Sequence, residues 1–74
     1  MNRKLRRKII SERVKFELEH CSLSPKEIAE KMGFYQSLIS EYKSGKKVPS
    51  TVAISMLCEV IGADANYVLG IKDI

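Results

Sequence analysis

Five helices and no strand are what this 74-residue sequence predicts: an all-α, compact five-helix domain. Three observations carry the expectation. Apolar residues recur at helical spacing, as in Ile28, Ala29 and Met32 or Leu38, Ile39 and Tyr42, with no alternating stretch that would suit a strand. Good helix-capping residues (Ser24, Ser50, Asp64) stand before such runs, and glycines (Gly33, Gly45, Gly62) follow them. Hydrophobic residues make up 45% and charged residues 30%, a balance that suits a packed helical globule better than a disordered chain. The length permits one domain with one small core. The expected division is a basic segment over 1–8 that starts the first helix, the domain proper over 9–70, and a tail over 71–74.

The first helix is expected from about Arg3 to His20, with Leu5, Ile10, Val14, Leu18 and Cys21 as its inner face. The second begins at Ser24, where Pro25 suits a position that needs no N–H and Glu27 completes an S-x-x-E capping box. Gly33 ends it, because a left-handed backbone costs glycine little. The third places Tyr35, Leu38, Ile39 and Tyr42 at i, i+3, i+4 and i+7 on one apolar face, with Gln36, Ser37, Ser40, Glu41 and Ser44 on the other side. Ser50 caps a fourth helix to about Ile61, whose inner face is Ile54, Leu57, Cys58 and Ile61. Asp64 caps a short fifth carrying Tyr67, Val68 and Leu69.

The second and third helices, joined through Gly33, form a candidate helix-turn-helix over Ser24 to Lys46. Ala29, four residues before the turn, lets the two helices cross closely. Short hydroxyls and one amide on the third helix suit close approach to base edges in a DNA major groove, although a solvated face is the ordinary reading of any amphipathic helix. The formal net charge is +4, concentrated in Arg3, Lys4, Arg6, Arg7 and Lys8 and in Lys43, Lys46 and Lys47. Beside a helix-turn-helix such clusters suit DNA phosphates, while a solubilising end is the plainer account of the first.

In order, Ala29, Gly33 and Ile39, then KSGKKVPS, then GADANYVLG make the stretch from about Ile10 to Gly70 similar to the lambda-repressor/Cro-like, or Xre, helix-turn-helix family. The resemblance implies a lambda-repressor-like fold with its helix-turn-helix at the second and third helices. It implies Gln36, Ser37 and Ser40 as base-reading residues. It implies phosphate contacts from Ser24, Lys26, Tyr35, Lys46 and Lys47, the last two with their backbone N–H groups. Leu18 and Lys43 stand where many members carry an arginine–glutamate pair, so their joint change exchanges an ion pair for packing and frees Lys43 for a phosphate. Pro25 and Tyr35 depart from the family's usual glutamine and its serine or threonine cap; Tyr35 is left with a phenol contact to DNA or core packing. The family's two-fold dimer implies contacts through Val68, Ile71 and Ile74, with ordinary edge packing as the alternative.

The resulting expectation is a small transcriptional regulator, a repressor, that binds double-stranded DNA as a homodimer on a near-palindromic operator. The alternative is a protein-interaction module, an antitoxin or antirepressor, on the same fold. No enzyme activity, cofactor, metal or small-molecule ligand is expected. There is no paired-carboxylate pocket, no phosphate-binding glycine loop, and one histidine with two cysteines lacks zinc-ligand spacing. Cys21 and Cys58 read as free, small core residues. No apolar run is long enough to span a membrane and no signal-peptide segment follows the basic start, so the expected location is cytoplasmic, bacterial or phage-encoded.

Overall fold

A computed structural model describes residues 2–73. Its elements are α1 (Arg3–His20), α2 (Pro25–Met32), α3 (Gln36–Ser44), α4 (Thr51–Ile61) and α5 (Ala65–Val68), and no strand occurs among the described residues. The radius of gyration is 11.3 Å, the value of about 11 Å expected for a folded chain of this length.

Four of the five helices begin on a side-chain cap. Asn2 Oδ1 accepts from Leu5 N, Ser24 Oγ from Glu27 N, Ser50 Oγ from Ala53 N, and Asp64 Oδ1 from Asn66 N. The caps at Ser24, Ser50 and Asp64 agree with the sequence reading. At Gly33, φ is +72° and the following Phe34 N–H donates to Ala29 O, so the chain reverses directly after Met32, α2's last buried residue.

The core is assembled from one or two turns of each helix. Val14 and Leu18 come from α1, Ile28, Ala29 and Met32 from α2, Ile39 and Tyr42 from α3, Ala53, Ile54, Leu57 and Cys58 from α4, and Val68 from α5. α2 packs against α3 and α4, while α1 lies across α3 and α5. Ile39, at 0% exposure, is the most enclosed side chain, so α3 is held by its inner face while its other side is open.

Three expectations are corrected. Leu5 is not on an inner face but 47% exposed. α1's 18 residues run about 27 Å, longer than the 20–22 Å breadth of the molecule, so its first turns overhang the core. Tyr35 is 83% exposed and leaves the apolar stripe of α3, because it stands before the helix with an extended backbone (φ −82°, ψ 143°) and helical spacing does not apply to it. Core packing is thereby excluded for Tyr35. Val68 is 2% exposed and belongs to the core, so it offers no surface to a second subunit. Ile71 is exposed, and Ile74 lies outside the described residues.

Candidate nucleic-acid interface

The turn from Gly33 to Tyr35 sets α3 against α2 with Ile39 and Tyr42 facing inward. Helical geometry then sends Gln36, Ser37, Ser40, Lys43 and Ser44 outward along one stripe, and all five are exposed. The predicted base-reading residues Gln36, Ser37 and Ser40 therefore share one open face. Tyr42, opposite them, has its phenol pushed above its ordinary pKa by burial and by the Glu41 charge, which keeps it neutral in the core.

The two ends of α3 differ. At the start, Tyr35 provides no side-chain cap, and the N–H groups of Gln36 and Ser37 have no partner among the described residues. At the end, Gly45 takes φ +82° and the backbone closes tightly on Glu41 O, which accepts from Lys46 N at 3.0 Å and Lys47 N at 3.3 Å. Ser44 Oγ donates to the same carbonyl at 3.1 Å. This corrects the expected role of the Lys46 and Lys47 amides: both are consumed in capping α3, and only the two side chains face outward. Lys43, Lys46 and Lys47 are exposed, and none forms an ion pair among the described residues.

The start of α2 is closed in the opposite manner. Ser24 N donates to Glu27 Oε1 at 3.1 Å while Ser24 Oγ accepts from Glu27 N at 3.2 Å. These bonds to Ser24 hold the Glu27 carboxyl below its ordinary pKa, so a fixed negative charge already occupies this helix start. Ser24 keeps only its hydroxyl proton for an outside acceptor, and the exposed Lys26 beside it forms no ion pair among the described residues. Leu18 is buried and Lys43 exposed.

The N-terminal basic run does not act as one cluster. Arg6 Nη1 donates to Leu69 O at 2.9 Å. Arg13, which the sequence reading did not single out, donates from Nη1 to Tyr67 O at 2.6 Å and to Lys72 O at 2.8 Å, and its guanidinium lies 4.4 Å from the Tyr67 ring centroid. Two arginines seven residues apart share one face of α1, and both satisfy carbonyls at the end of α5 and the segment after it. That spacing was the available signal; the carbonyls lie more than fifty residues away in sequence and gave none. Gly70 completes this junction, since with φ +81° any Cβ there would meet Arg6 Nη1 and Ile9 Cγ2 at 3.3 Å.

Neither His20 nor the cysteines form a reactive pair. His20 Nδ1 lies 2.9 Å from Phe16 O, so it carries the proton it donates, and its ring stacks on Phe16 at 4.1 Å. The Cys21 thiol donates to Leu18 O and Leu23 O. Cys58 is buried, and burial pushes its thiol pKa up. Among the described residues no three His, Cys, Asp or Glu side chains are grouped to hold a metal, and no helix is long and apolar enough to cross a membrane. The sequence matches no protein-family model, and neither a curated protein nor a solved structure matches it.

Proposed function

We propose that this protein binds double-stranded DNA through α2 and α3, used as a helix-turn-helix of the lambda-repressor/Cro-like kind, and regulates transcription by occupying its site. One observation carries the reading. A helix anchored by Ile39 and Tyr42 presents an outer stripe of short polar side chains, Gln36, Ser37 and Ser40, and continues into Lys43, Lys46 and Lys47, which have no carboxylate partner among the described residues. Short side chains let the helix approach base edges, and unneutralised cations at its end meet phosphates.

Within this reading Gln36 is the principal base contact, since an amide pairs bidentately with adenine N6 and N7 for about 1–3 kcal/mol of discrimination. Ser37 and Ser40 add weaker contacts. Lys26, Lys43, Lys46 and Lys47 hold the backbone, joined by the exposed Tyr35 phenol and the Ser24 hydroxyl. Two subunits, meeting through the C-terminal segment that carries Ile71, would set two α3 helices about 34 Å apart on a near-palindromic site. Repression by occupying the site is the simplest outcome of such binding, and the cytoplasm is where such a regulator works.

Selection of duplexes from a random pool at a stated salt concentration tests the reading. It predicts an enriched near-palindrome with half-sites about ten base pairs apart. Salt-sensitive binding without enrichment would contradict base reading. Phe16 and Val52, 50% and 68% exposed, favour the second reading, a protein-interaction module. That reading predicts a protein complex that DNA does not displace.

A further inference from the structure

Arg6 and Arg13 turn one side of α1 toward α5, and the opposite edge is left to Lys4, Lys8 and Lys15. These three lie at i, i+4 and i+11, within about 40° of one another around a helix of 3.6 residues per turn. All three are exposed, as is Arg7 beside them, and none forms an ion pair among the described residues. Ser11 lies on the same edge, and a Cβ at Gly45 would stand 3.8 Å from its Oγ. The loop that carries Lys46 and Lys47 therefore abuts α1 in the middle of this stripe. Lys4 and Lys8, with Asn2 and Leu5, also line an open hollow of about 340 Å³ at the overhanging end.

We infer that Lys4, Arg7, Lys8 and Lys15 form, together with the Lys46–Lys47 loop, a continuous track for the phosphodiester backbone flanking the sequence that α3 reads. The inference rests on the DNA-binding reading and extends it from a half-site to its flank. From Lys4 to Lys15 the helix rises about 16 Å, a length matching roughly five base pairs along a duplex axis at about 3.4 Å each. Glu12, four residues after Lys8 and three before Lys15, and Glu19, four after Lys15, border the track on its Lys8 side without pairing with it among the described residues, and Glu17 falls on the α5 side. The contacts are to phosphate alone, so they strengthen binding without choosing bases.

The test compares two doubly neutralised proteins that lose the same charge. Lys8→Gln/Lys15→Gln removes track residues; Lys31→Gln/Lys72→Gln removes an exposed cation from α2 and one, paired with Asp64 at 3.1 Å, from the segment after α5. On the selected duplex the first pair is expected to make the slope of log affinity against log salt shallower by about 1.8, at about 0.9 per phosphate contact. It also loses hydroxyl-radical protection of the flank, while the enriched sequence stays the same and the control pair keeps the wild-type slope. Equal slopes in both pairs, whether lowered together or unchanged, would overturn the track. Selection by the wild-type protein would still enrich its site in that case, leaving the base-reading proposal standing. A wild-type protein that binds phosphatidylserine vesicles and no duplex would overturn both.

Discussion

α2 and α3 are joined by one three-residue turn, and their starts are built in opposite ways. α2 begins in a closed ring of two hydrogen bonds between Ser24 and Glu27, with Pro25 removing one N–H that would need a partner. α3 begins on Tyr35, extended, exposed and without a side-chain cap, and leaves the amides of Gln36 and Ser37 open. The first start stabilises itself locally. The second depends on burial further along, at Ile39 and Tyr42, and so leaves its polar groups available to a ligand. The difference teaches where this small domain places stability and where it places an unfilled surface.

If α3 is held by burial alone, Ile39→Ala is the most damaging change, costing about 2–5 kcal/mol through lost transfer and a residual cavity. Denaturant unfolding checks it; a cost below 1 kcal/mol would mean that α3 is held by something other than its inner face. Ser24→Ala breaks the closed start and is expected to cost about 1 kcal/mol, lowering Tm by about 4–8 °C. Tyr35→Ser supplies the missing cap in a backbone conformation that already suits it. It is expected to raise Tm by a few degrees, at most about as much as Ser24→Ala lowers it, while DNA affinity falls because the phenol is gone. A Tm that drops instead would show that Tyr35 stabilises the fold despite its exposure.

The smallest effect is on pH. Hydrogen bonds to Ser24 depress the Glu27 carboxyl below its ordinary 4.5, and the Lys72 and Asn66 bonds depress Asp64 below its ordinary 3.8. The unfolded chain therefore takes up protons at these groups first as the pH falls. Their stabilisation is complete above those ordinary values and is lost as pH falls through the depressed ones. In Glu27→Gln, thermal unfolding followed from pH 6 to pH 2, a window spanning both values, is expected to show a shallower acid-side decline. An unchanged decline would mean that the ring at Ser24 adds nothing to acid sensitivity.

Local chemistry made most of the fold legible in the sequence. Ser24, Ser50 and Asp64 marked helix starts, Gly33, Gly45 and Gly62 marked their ends, and the spacing of Ile28, Ala29, Met32, Ile39 and Tyr42 marked what faces inward. The outer stripe of α3 followed from the same periodicity. What was not legible depends on where an element stops relative to its neighbours. Leu5 has core-like spacing but lies beyond the core, and Tyr35 has helical spacing but precedes the helix. Val68 is the buried residue of α5, although it falls among apolar residues that continue past the helix to Ile71. The Lys46 and Lys47 amides and the Arg6 and Arg13 side chains are committed to carbonyls that only the folded chain brings to them.

The central claim is that the open face of α3 reads bases while its flanking cations only hold the backbone. Selection from one random duplex pool with Gln36→Ala and with Lys47→Ala, each beside the wild-type protein, tests it most directly. The account predicts that Gln36→Ala loses preference at particular base positions, whereas Lys47→Ala weakens every sequence alike and keeps the wild-type preference. The reverse pattern, or an identical enriched sequence from Gln36→Ala and wild type, would contradict it.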